Sequence, residues 1–101
     1  MVFVKTVNTK VLKPNEKLGI KIKGNDILIV NLNGNYYAIG NICTHRGCKL
    51  SDGKINGESV ECPCHGSVFE IITGKVLKGP AKKAEMSYKV KVDNEQILVD
   101  V

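Results

Sequence analysis

Every cysteine and histidine of this chain lies in one of two short phrases, Cys43-Thr44-His45-Arg46-Gly47-Cys48 and Cys62-Pro63-Cys64-His65-Gly66-Ser67. Sixteen residues separate His45 from Cys62. Thiolate and imidazole are the soft donors that hold transition metals. A chain that spends all of them in two loops must fold so that the loops meet, and a metal centre is the reason for them to meet. The fold therefore has to deliver two loops to one point from a distance along the chain.

The 101 residues suffice for one small domain, whose limited core gains from a cross-link or a metal. A hydrophobic content of 43% is that of a globular protein. The net charge of +5 is uneven. Residues 1–41 carry six lysines against two acids, residues 42–79 five bases against four acids, and residues 80–101 four against four. By this count most of the positive charge sits away from the Cys/His loops. The lysines are spaced through strand-like segments without stacking aromatics, so nucleic acid is not an expected partner. No stretch has the length of a membrane span, and Met1–Lys5 lacks the pattern of a signal peptide. The expectation is a soluble, cytoplasmic monomer with no membrane anchor.

The segments flanking the loops read as β-strands. Lys17–Lys23 alternates with period two, and Ile27-Leu28-Ile29-Val30 is an apolar run of strand length. Asn33-Gly34 is a hairpin signal, because both central residues of the favoured turn need positive φ, and Tyr36–Ile39 is the returning strand. Tyr88–Val92 alternates again, and Asp93-Asn94-Glu95 turns the chain into Ile97-Leu98-Val99. Ser59–Glu61 and Val68–Ile72 are shorter strand-like pieces; Ala81–Met86 is read as no more than a turn. The class is all-β. Residues 2–41 and 80–101 form the scaffold of a single domain, and residues 42–79 a metal-binding insertion.

Four ligand sets compete. A site of four cysteines has spacings of five and two, a poor match to zinc ribbons, and it leaves both histidines unexplained. A two-cysteine, two-histidine zinc site is geometrically open to C-x-H and C-x-x-H. Two disulfides without metal give no reason for the histidines to accompany the cysteines. The fourth set is a [2Fe–2S] cluster with two thiolates on one iron and two imidazoles on the other.

The two phrases closely resemble the cluster loops of the Rieske iron–sulfur proteins, which read C-T-H-x-G-C and C-P-C-H-G-S. The likeness is strongest over residues 42–80, with Phe69, Thr73-Gly74 and Gly79-Pro80 also matching. It implies a Rieske-like β-sandwich of short antiparallel strands with an inserted cluster-binding subdomain. It further implies one [2Fe–2S] cluster held by Cys43, His45, Cys62 and His65, and a one-electron carrier rather than an enzyme. Redox protein partners would dock at the tip formed by His45, Arg46, His65 and Pro80. A ferredoxin component or small subunit of a larger oxygenase is the alternative, and a structural zinc or disulfide module a distant one.

The resemblance also assigns the remaining site residues. Cys48 and Cys64 correspond to the disulfide that bridges the loops in the high-potential members. Gly47 and Gly66 let the backbone approach the cluster, and Gly79-Pro80 corresponds to a third, covering loop. Ser67 occupies the place of a hydroxyl donor to a sulfide; Phe69 stands where those members have a tyrosine donor to a cysteine sulfur. Neutral imidazoles place Rieske centres at roughly −150 to +300 mV, above plant-type ferredoxins at about −400 mV. With one of two hydroxyl donors present, an intermediate potential is expected. It should fall at alkaline pH, because iron-bound imidazole sheds its remaining ring proton more readily.

Overall fold

The computed structural model describes residues 2–45 and 47–101. Arg46, expected at the docking tip, lies outside the described residues, as does Met1. The strands are β1 (Phe3–Asn8), β2 (Lys17–Ile22), β3 (Asn25–Leu32), β4 (Asn35–Gly40), β5 (Lys54–Asn56) and β6 (Ser59–Glu61). They continue with β7 (Val68–Glu70), β8 (Val76–Lys78), β9 (Ser87–Tyr88), β10 (Val90–Asp93) and β11 (Gln96–Asp100). They form three antiparallel sheets, ordered β1-β11-β10, β2-β3-β4-β9 and β5-β6-β7-β8. The all-β expectation holds.

The hairpins turn at pairs of residues with positive φ. Asn33 and Gly34 have φ of 54° and 91°, and Asn94 and Glu95 of 51° and 63°. This is the two-residue turn whose twist matches that of the strands. The first hairpin turns at Lys23 and Gly24, with φ of 50° and 80°, and β3 starts directly after them at Asn25.

β3 explains why the apolar run at Ile27–Val30 does not alternate with polar residues. Ile27 and Ile29 pack with Leu12, Ile22, Ala38, Ile97 and Val99, between the first two sheets. Leu28, Val30 and Leu32 point the other way, toward Leu50, Val60, Phe69 and Ile71. The strand is buried on both faces, and each fully buried side chain contributes about 1.5–3 kcal/mol of transfer free energy. The middle sheet is thus a shared wall. One side closes the sandwich, and the other backs the sheet that bears the loops.

One expected strand is two. The alternation over Tyr88–Val92 breaks at Lys89: Tyr88 pairs with Ala38 of β4, whereas Val90 pairs with Val99 of β11. The chain changes sheets there, as strands do at the corner of a sandwich.

Candidate metal centre

The two Cys/His phrases fold into the same six-residue loop. In the first, Cys43 N–H donates to Cys48 O (2.7 Å) and Gly47 N–H to Cys43 O (3.0 Å). In the second, Cys62 N–H donates to Ser67 O (2.7 Å) and Gly66 N–H to Cys62 O (3.3 Å). Residues one and six of each loop close it, and the fifth is a glycine with φ of 77° in both cases. Each loop sits on a paired base, Ile42 opposite Lys49 and Glu61 opposite Val68. The positive φ is the physical reason for glycine there, since a Cβ is strained in that region.

A third loop repeats the geometry without a cysteine or histidine. Glu70 N–H donates to Lys75 O (2.8 Å), Gly74 N–H to Glu70 O (2.7 Å), and Gly74 has φ of 80°. The base pair is Phe69 opposite Val76.

Residues 80–86 run as a strap across all three loops. Ala81 N–H donates to Ser67 Oγ in the second (2.9 Å). Thr44 Oγ1 of the first donates to Lys83 O (2.6 Å). Glu85 N–H donates to Gly74 O of the third (2.8 Å), and Gly40 N–H to Met86 O (2.9 Å). The segment is a turn-like strap without helix or strand, in line with the reading of Ala81–Met86.

The loops bring the predicted residues together with their donors sorted by depth. Cys43 and Cys62 are buried, each 2% exposed, within the core cluster that contains Phe69 and Val60. His65 is exposed and His45 partly so, their rings edge-to-face with centroids 5.3 Å apart. Cys48 and Cys64 form a disulfide with a Cα separation of 6.4 Å, within the usual span for such a bridge. The sulfurs of Cys48, Cys62 and Cys64 lie within 4.8 Å of one another. Proximity alone would make those three a metal triad. The bridge excludes it, because a disulfide sulfur is not a thiolate. The donors left are two buried thiols and two imidazoles toward solvent, a set that fits a mixed Cys/His [2Fe–2S] centre.

Around the donors polar and apolar groups are mixed. Ser67 is fully buried, and its oxygen accepts from Ala81, so the hydroxyl keeps its own proton to give. Phe69 is fully buried and brings no polar atom. Gly79-Pro80 has a cis peptide bond, and Pro80 is exposed at the head of the strap. One residue here was missed by sequence reasoning. Glu85 is buried at 8% exposure, and its Oε2 has no hydrogen-bond partner. Burial pushes its carboxyl from 4.5 up to about 7, with the backbone amide of Thr44 opposing the shift. A lone glutamate in a lysine-rich stretch gives no hint of this.

The Rieske [2Fe-2S] domain profile matches residues 2–94 of this chain. The chain belongs to the Rieske family. Sulredoxin of Sulfurisphaera tokodaii is 34% identical over 111 residues, covering 100% of both chains. The ferredoxin component of the naphthalene 1,2-dioxygenase system of Pseudomonas putida is 30% identical over 99 residues, 98% of this chain and 95% of that one. Among solved structures, the ferredoxin of carbazole 1,9a-dioxygenase from Nocardioides aromaticivorans superposes with a TM-score of 0.93 at 30% identity, covering 98% and 97% of the two chains. With full-length ferredoxins among its relatives, this Rieske chain is a ferredoxin-type electron carrier that holds one [2Fe–2S] cluster. No helix among the described residues is long and apolar enough to cross a membrane.

Proposed function

We propose that Cys43 and Cys62 hold one iron of the cluster and His45 and His65 the other, and that electrons leave through the histidine-bearing tip. The observation that carries this is the sorting of donors by depth: both thiols are buried, while His65 is exposed and His45 partly so. The cluster, when bound, supplies reversible uptake and release of one electron. The chain's own residues do the rest. Cys43 and Cys62 anchor it in the apolar core, the Cys48–Cys64 bridge keeps the loops from parting, and Ser67 offers a proton to the cluster's sulfur. Solvent-facing imidazoles shorten the path to a partner, which we place against His45, His65 and Pro80.

The working unit in this reading is a monomer in the cytoplasm, passing electrons to a larger oxidoreductase. The naming of relatives as components of dioxygenase systems supports that setting.

Iron content, colour and EPR of alanine variants test the ligand set. Replacing Cys43, His45, Cys62 or His65 should abolish the rhombic signal of the reduced protein. Replacing Cys48 or Cys64 should leave it in freshly prepared protein. A full signal in any of the first four variants would overturn the assignment.

A further inference from the structure

We infer that the tip selects an acidic face on its redox partner, because Lys82 and Lys83 of the strap put exposed, unpaired positive charge beside the loop that carries His45. The inference rests on the tip being the site of electron exit, as proposed above. Lys82 and Lys83 are placed by contacts of the strap with the loops, and Lys49 and Lys78 stand farther back. Lys49 is paired with Ile42 at the base of the first loop, and Lys78 lies opposite Val68 at the base of the second. Lys83 carries the carbonyl that accepts from Thr44, and Lys82 follows Ala81, which is bonded to Ser67. All four are exposed, and the one ion pair among the described residues, Lys10–Glu95, involves none of them.

Lys49 shares a hollow with Asp26, but the acids that would neutralise Lys82 and Lys83 are elsewhere. Counted along the chain, residues 80–101 balance four bases against four acids. The fold undoes this balance. Glu85 is buried, while Asp93 and Asp100 lie in β10 and β11, and Glu95 in the turn between them, within the sheet that carries no loop of the site. Lys82 and Lys83 are therefore left uncompensated. Of the nearer acids, Glu70 accepts from the Thr73 hydroxyl. Asp52 and Glu61 line a hollow beside Pro63 together with Lys54, which pairs with Glu61 across β5–β6. The strap side of the tip is thus lysine-rich while the Pro63 side is close to balanced. One sign of charge around an exit point steers and orients an oppositely charged partner.

The test is stopped-flow oxidation of the reduced holoprotein by two one-electron oxidants of opposite charge, hexacyanoferrate(III) and tris(phenanthroline)cobalt(III). In each reaction one electron passes from the protein to the complex. The rate with the anion should fall as salt is raised from about 10 to about 300 mM, and the rate with the cation should rise. Lys82→Glu/Lys83→Glu should slow the anion on the order of tenfold at low salt and speed the cation. A change in potential would move both rates the same way, so opposite changes isolate the local field. Lys5→Glu/Lys89→Glu, with the same change in net charge, should do markedly less. Equal effects from the two double variants, or no effect from the strap variant, would overturn the inference. Failure of the electron-carrier reading shows separately, as unmutated protein without the cluster's absorbance.

Discussion

The backbone amide of Ala81 donates to the hydroxyl oxygen of Ser67 across 2.9 Å, at a point where both residues are buried. This single bond couples the strap to the second loop and orients the serine. It makes Ser67 both a structural acceptor and a donor in reserve.

Ser67→Ala should therefore have two separable effects. It leaves the Ala81 N–H buried and unpaired, which costs about 1–3 kcal/mol of stability. In the proposed ligand arrangement it also removes a hydroxyl proton expected to stabilise the more negative, reduced cluster. If that bond is worth about 1.4 kcal/mol more in the reduced state, the potential falls by about 59 mV for a one-electron couple. Protein-film voltammetry and thermal melts read the two effects, and an unchanged potential would remove the donor role.

Phe69→Tyr probes the missing donor. Phe69 lies in β7 with Val60 and Val76 opposite it, and it shares a core cluster with Cys43 and Cys62. A phenolic hydroxyl placed there should raise the potential if it reaches a cysteine sulfur. If it does not, it is a buried unpaired group, and the thermal midpoint drops with no rise in potential. Measuring both quantities on one variant distinguishes the outcomes.

The Cys48–Cys64 bridge closes a loop with a sequence separation of 16 residues. Cross-links of that length stabilise by roughly 3 kcal/mol through the unfolded chain. Cys48→Ser/Cys64→Ser should retain the EPR signal but lose cluster absorbance at a lower temperature and faster under chelator. Equal bleaching rates in the variant and the parent would show that the bridge adds nothing to retention.

Glu85 gives a pH dependence with a definite sign. Its carboxyl keeps a proton to about pH 7 in the folded chain but ionises near 4.5 when unfolded. Between these values the folded state holds more protons, so the stability contributed below 4.5 is lost as pH rises through about 7. Thermal midpoints measured from pH 4.5 to 8 should fall relative to those of Glu85→Gln, whose amide does not titrate. Parallel curves would place the carboxylate in a better-solvated setting than its burial implies.

What the sequence made legible were features whose chemistry is local. Asn33-Gly34 specifies its turn by itself, Ile27–Val30 has the length and apolar content of a strand, and the Cys/His phrases display their donors in adjacent residues. What stayed hidden depends on distant partners. β5 and β8 are three residues each and exist because β6 and β7 pair with them. The strand break at Lys89 is decided by which neighbour, Ala38 or Val99, is nearer in space. Charge summed over sequence windows misplaced Lys82 and Lys83, because the acids of their window fold onto another sheet or into the interior. The strap's bonds to the three loops link residues 14, 39 and 11 positions apart, a distance no local pattern reports.

The loop at Glu70–Lys75 has no thiolate and no imidazole, yet it keeps the shape of its two neighbours. That shape is therefore a property of the peptide chain, written by a fifth-position glycine and two backbone bonds. The cofactor does not have to mould its own seat. The expected consequence is that the three loops close before iron and sulfide are bound. Apo-protein held under reducing conditions should keep slow amide exchange at Gly47, Gly66 and Gly74 alike, the third serving as an internal reference that never meets iron.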